Sequence, residues 1–145
     1  MEGGTGMSEN MRPELSKNNK YWLERHRYYE LKHFCLQYPI WRKAYMALDG
    51  LSKKPLDAAV FGKTNTIGDP TARCVEEREY YSDRMGMIEQ SALNADAALS
   101  TYILRAATEG LSYNFLKARL GIPCCKDTYY EVYRRFLWLL SKERN

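Results

Sequence analysis

Apolar residues along this chain recur at helical spacing, and no segment shows the strict alternation of a half-buried strand. The pattern begins near Asn18, where Trp22, Tyr29, Phe34 and Leu36 mix with Arg25, Arg27 and Lys32. It predicts a first helix over 19–37, with Trp22, Tyr29 and Cys35 or Leu36 on one stripe. Pro39 then disfavours helix at Tyr38. Trp41, Ala44, Tyr45 and Leu48 follow at i, i+3, i+4 and i+7, the mark of a short amphipathic helix over 40–48, with Gly50 as its stop.

Residues 50–69 gather glycines, Pro55 and polar groups around one apolar patch, Ala58 to Phe61, and read as a long loop. Asp69-Pro70 is a helix start, because an aspartate accepts orphan amide protons and proline is tolerated at the first helical position. A long helix of about 25 residues is expected from there, with Val75, Tyr81, Met85, Ile88 and Leu93 inward and Glu76, Glu77, Glu79 and Asp83 opposite. Residues 1–17 are glycine-rich and polar without periodicity, which reads as a flexible tail.

The C-terminal stretch has the densest local grammar. A helix over 96–109 directs Leu99, Tyr102 or Ile103, and Ala106 inward, and Gly110 ends it. Ser112 is an N-cap for a short helix to Leu120, with Phe115, Leu116 and Leu120 on its apolar edge. Gly121 takes the positive φ of a sharp turn, Ile122 plugs the corner, and Pro123 stops continuation. A last helix over 126–142 places Tyr129, Val132, Tyr133, Phe136 and Leu140 on one face, leaving Thr128, Glu131, Arg134 and Arg135 outward. Short helix, glycine turn and longer helix with a polar and basic outer side form a helix–turn–helix, whose second helix enters the major groove of DNA. The fold class is therefore all-α: an N-terminal helical hairpin over 18–69, a long central helix, and a C-terminal helix–turn–helix within 70–145.

Charge sharpens this reading. The 145 residues carry a net +4, but residues 57–109 hold five basic and nine acidic side chains, whereas 110–145 hold seven basic and three acidic. Two basic ends flank an acidic middle, a layout that steers a polyanion toward the ends. Aromatic residues make up 13% of the chain, twelve of them tyrosines, and their helical spacing marks most as core.

Other chemistries find little footing. No run approaches the length of a bilayer span and the N-terminus lacks an apolar signal core, so a cytoplasmic protein without membrane contact is expected. Cys35, Cys74, Cys124 and Cys125 read as free thiols. His26 and His33 stand two helical turns apart, and with the adjacent cysteines they offer no zinc-ligand spacing, so no metal and no cofactor is expected. No phosphate loop, nucleophile elbow or paired acid–base motif occurs, and the expectation is a protein that is not an enzyme.

The run TEGLSYNFLKARLGIPCCKDTYYEVYRRFLWLL resembles the helix–turn–helix of phage late-transcription activators of the RinA and ArpU type, themselves similar to the promoter-reading C-terminal domain of sigma factors. A GDPT start at Gly68 followed by a long charged helix, and RYYELKHFCLQYP from Arg27, are similar to the rest of their layout. The resemblance implies a phage or prophage transcription regulator that binds double-stranded DNA, with RNA polymerase, another protein or a second copy of the chain as further partner. In that reading Lys126, Asp127, Thr128, Glu131, Arg134 and Arg135 face the groove while Lys117 and Arg119 sit near phosphates. The rival reading is a protein-interaction module of a mobile element, an inhibitor of host defence or a small packaging subunit, on the same helical scaffold.

Overall fold

The computed structural model describes residues 18–52 and 70–144, and every regular element among them is helical. In chain order these are α1 (Arg25–Leu36), α2 (Tyr38–Ser52), α3 (Pro70–Ala95), α4 (Ser100–Glu109), a short helix α5, and α6 (Lys126–Glu143). α5 opens as one turn of α-helix (Tyr113–Phe115) and widens into a single π-turn (Leu116–Leu120). The all-α class read from the periodicity holds. The tail, the Ala58 to Phe61 patch and the Asp69 cap lie outside the described residues. No helix among the described residues is long and apolar enough to cross a membrane.

The chain divides into two compact units, one from residues up to Gln37 together with those from Met87 onward, the other Tyr38–Gly86. The two helices expected to form an N-terminal hairpin therefore contribute one to each unit, and α3 runs through both.

In the first unit α1 packs against α4 and α6, and α4 against α6. α1 starts later than its apolar pattern suggests. Glu24 caps it, its carboxylate accepting from the amides of His26 at 2.9 Å and Arg27 at 3.2 Å. Trp22 thus precedes the helix and does not set its phase. The stripe that turns inward is Tyr28, Leu31, Phe34 and Cys35, so of the two alternatives Cys35 and Leu36 the first is buried, whereas Tyr29, expected inward, is 39% exposed. α6 buries Tyr129, Val132, Tyr133, Phe136, Leu137 and Leu140, the expected face with Leu137 added. Its rings form a ladder: Tyr113 meets Tyr129 at 5.5 Å between centroids, and Tyr129 stacks on Tyr133 at 5.7 Å. Arg27 clasps the far end of α6, donating from Nε to Ser141 Oγ (3.0 Å) and from Nη2 to the Ser141 carbonyl (2.8 Å). Arg144 answers by pairing with Glu30 at 2.9 Å and lying over the Phe34 ring.

In the second unit α2 begins at Tyr38, with Pro39 in its first turn, where its missing amide proton costs no helical hydrogen bond. Gly50, expected as the stop, lies inside α2, since one glycine costs a helix only about 1 kcal/mol. Trp41 and Met85 are buried, and Arg78 lies over the Tyr45 ring while donating to its hydroxyl at 3.2 Å. On α3 the acidic residues Glu76, Glu77, Glu79 and Asp83 are exposed as expected, but so are Val75 and Leu93. The buried positions toward the end of α3 are Ile88, Ser91, Ala92 and Ala95, which belong to the first unit.

Candidate nucleic-acid interface

The corner between α5 and α6 is built from local chemistry. Asp96 accepts the Leu99 amide at 3.0 Å and stays outside α4, which starts at Ser100 rather than at Asp96. α4 ends at Gly110 with φ 72°, in the left-handed region glycine tolerates best. Ser112 Oγ then accepts the Phe115 amide at 3.2 Å and caps α5. Gly121 closes the π-turn at φ 66°, its amide bonded back to the Leu116 carbonyl. Ile122 is fully buried behind it, as is Leu116. The Tyr113 hydroxyl donates to the Cys124 carbonyl at 2.7 Å and so ties the start of α5 to the residues that precede α6. Burial pushes the Tyr113 phenol up, keeping it a donor at neutral pH.

Around this corner six of the eight expected contact residues are exposed. Lys117 and Arg119 project from the π-turn, and Lys126, Asp127, Thr128 and Glu131 from the first turns of α6. Lys117 Nζ reaches the Ile122 carbonyl at 3.5 Å, and Arg119 lies 5.9 Å from the half-exposed Phe115 ring. Asp127 sits in the first turn of α6, where the helix dipole favours a negative charge.

The remaining two arginines do not stand outward as expected. Arg135 turns back onto its own chain: Nε donates to the Tyr21 hydroxyl at 3.1 Å, Nη1 to the Ala95 carbonyl, and Nη2 approaches Glu131 at 3.7 Å. That bond from Arg135 foremost holds the Tyr21 phenol below the ordinary tyrosine value. Tyr21 also meets Trp138 edge-on at 5.6 Å, and Lys142 Nζ stands 4.3 Å over the Trp138 ring. Residues preceding α1 are thereby fastened to α6. Arg134 is half-buried, its Nε out of water and without a hydrogen-bond partner. Nothing local signals the inward turn of Arg135, because its hydrogen-bond partners Tyr21 and Ala95 lie 114 and 40 residues away in the chain.

The two adjacent thiols at the head of α6 differ. Cys124 is half-buried and its thiol is pushed up, first by burial and then by Cys125. Cys125 is exposed, and its sulfur lies 3.3 Å from the Thr128 hydroxyl. It occupies the N-cap without a side-chain hydrogen bond to an amide. Its thiol is pushed down, first by the Thr128 hydroxyl, with the Thr128 and Asp127 amides adding at longer range. Among the described residues no three histidine, cysteine, aspartate or glutamate side chains gather as metal donors. The chain matches no protein-family model, no curated protein and no solved structure.

Proposed function

We propose that this protein is a sequence-specific DNA-binding transcription regulator of phage or prophage type, without enzymatic activity, that reads the major groove with the first turns of α6. The observation that carries the reading is the α5–α6 corner. A serine-capped short helix, a left-handed Gly121 and a buried Ile122 set a longer helix whose leading turns keep Lys126, Asp127, Thr128 and Glu131 in water. Lys117 and Arg119 flank them as phosphate contacts. Arg134 and Arg135 are set aside as base readers, since the first is half-buried and the second is engaged by Tyr21 and Ala95.

Electrophoretic shift of random and operator-like duplexes over rising salt tests the proposal. Retention that falls steeply with salt, by a slope matching a few phosphate contacts, supports it. Absence of retention at low salt refutes it.

A second reading has its own support. In the second unit Ile40 is 66% and Met46 59% exposed on α2, a placement that suits a protein partner. In that reading the helix–turn–helix is a scaffold for a mobile-element interaction module, and binding of its partner is indifferent to salt.

A further inference from the structure

Within the second unit α2 and α3 run antiparallel and occupy each other's inner sides. Cys74 Sγ donates to the Leu48 carbonyl at 3.4 Å, and one turn along Arg78 donates to the Tyr45 hydroxyl at 3.2 Å. Trp41 on α2 and Met85 on α3 are buried on these same sides. Each helix therefore turns its opposite side outward.

On α2 that outer side is Ile40, Lys43, Met46 and Ala47, at i, i+3, i+6 and i+7, and all four are exposed. Ile40 and Met46 are the most exposed large apolar side chains among the described residues. Single exposed apolar residues are ordinary, but these two bracket one lysine on one face. Arg42, also exposed, adds a second positive charge at its edge, and no acidic residue occurs from Tyr38 to Leu48.

On α3 the outer side is Ala72, Glu76, Glu79 and Asp83, at i, i+4, i+7 and i+11, again all exposed. Tyr80, 49% exposed, borders this stripe. Arg73, Arg78 and Arg84 lie off it by helical phase. Among the described residues none of Arg42, Lys43, Glu76, Glu79 and Asp83 takes part in an ion pair. One unit thus bears an apolar face with a positive centre and an acidic face with an aromatic border. The two match in charge, yet they point away from each other, so they meet only between copies.

We propose that α2 of one copy docks on α3 of the next, with Lys43 among Glu76, Glu79 and Asp83 and with Ile40 and Met46 against Ala72 and Tyr80. Exposed ion pairs contribute little each, so charge selects the partner face while apolar burial supplies most of the attraction. The contact joins two different faces and leaves one of each kind unused on a pair of copies. Assembly therefore continues past a dimer into a ring or a row. This self-association is independent of the DNA-binding function proposed above.

Sedimentation equilibrium of the full-length protein tests it. Weight-average mass is expected to rise with concentration and to exceed twice the chain mass below about 1 mM, the range of weak contacts. Arg42→Glu with Lys43→Glu, and separately Glu79→Lys with Asp83→Lys, are each expected to weaken association roughly tenfold. An equimolar mixture of these two variants recovers it, because each reversed face then meets its opposite. Ile40→Ser with Met46→Ser weakens association with every charge in place, which keeps the test decisive should a charge variant fail to fold. Circular dichroism checks helix content throughout. A wild type that stays monomeric at about 1 mM overturns the proposal and leaves the α2 face to a different protein. Association that neither charge reversal nor the serine pair weakens, or a mixture that associates no better than its components, overturns the assigned faces. A mass that stops at twice the chain mass overturns the head-to-tail arrangement.

Discussion

The two ends of α6 carry the same kinds of residue and use them in opposite ways. At the leading end Lys126, Asp127, Thr128 and Glu131 stand in water. Further along, Arg135 donates to Tyr21 and Ala95, Ser141 receives Arg27, and Arg144 lies on Phe34. The difference comes from neighbours rather than from helical phase. The residues around Tyr21, together with α1, cover the trailing half, whereas among the described residues Lys126, Asp127, Thr128 and Glu131 of the leading turns stay exposed. Basic character on a helix thus divides into charge that is available to a ligand and charge already spent on the fold. Only tertiary contacts separate the two.

Four substitutions press on this contrast, the most damaging first. Phe136→Ala removes a fully buried ring from the centre of α6 and is expected to cost about 3–5 kcal/mol in denaturant unfolding. A loss near zero means the buried face is assigned wrongly. Arg135→Ala deletes two hydrogen bonds and leaves the Ala95 carbonyl without that donor, for about 1–2 kcal/mol, part of the gross loss being offset by solvent at this half-exposed site. Any fall in duplex retention should then track the unfolded fraction, and a fall without lost stability would restore Arg135 as a direct reader.

Gly121→Ala isolates the turn between the two helices. An added Cβ meets nothing within 4 Å, so the cost is that of the left-handed backbone alone, about 1–2 kcal/mol. Thermal unfolding measures it, and a neutral result would mean the turn relaxes to negative φ. Lys126→Ala touches only the exposed end. Its stability change is expected within about 0.5 kcal/mol, while the salt slope of duplex retention drops by about one. A large stability loss here would erase the distinction between the two ends.

The parts legible in the sequence were those set by chemistry within a few residues. Ser112 and Gly121 declare themselves by type and position, Ile122 by standing apolar in a turn, and the face of α6 by an unbroken i, i+3, i+4, i+7 series. α1 was misread because Tyr28 and Tyr29 are adjacent rings, and the choice between them depends on where the helix starts. Glu24 fixes that start, and a glutamate is an uncommon cap. On α3 the small residues Ser91, Ala92 and Ala95 turn inward, and small side chains give an apolar series little contrast. Among the candidate contact residues the exposed six follow from local phase. Arg135 could be placed only by knowing that Tyr21 and the Ala95 carbonyl meet it.

The π-turn over Leu116–Leu120 has a consequence for chain length. It holds one residue more than an α-turn between its two anchors, buried Leu116 and left-handed Gly121. Of the four residues between them, Lys117, Ala118 and Arg119 are exposed and Leu120 is half-buried. Deleting Ala118 is therefore expected to tighten the bulge to an ordinary helical turn, and thermal unfolding of the shortened chain checks it. The spacing between the capped start and the glycine turn is thus expected to tolerate the loss of one residue at this point of the chain.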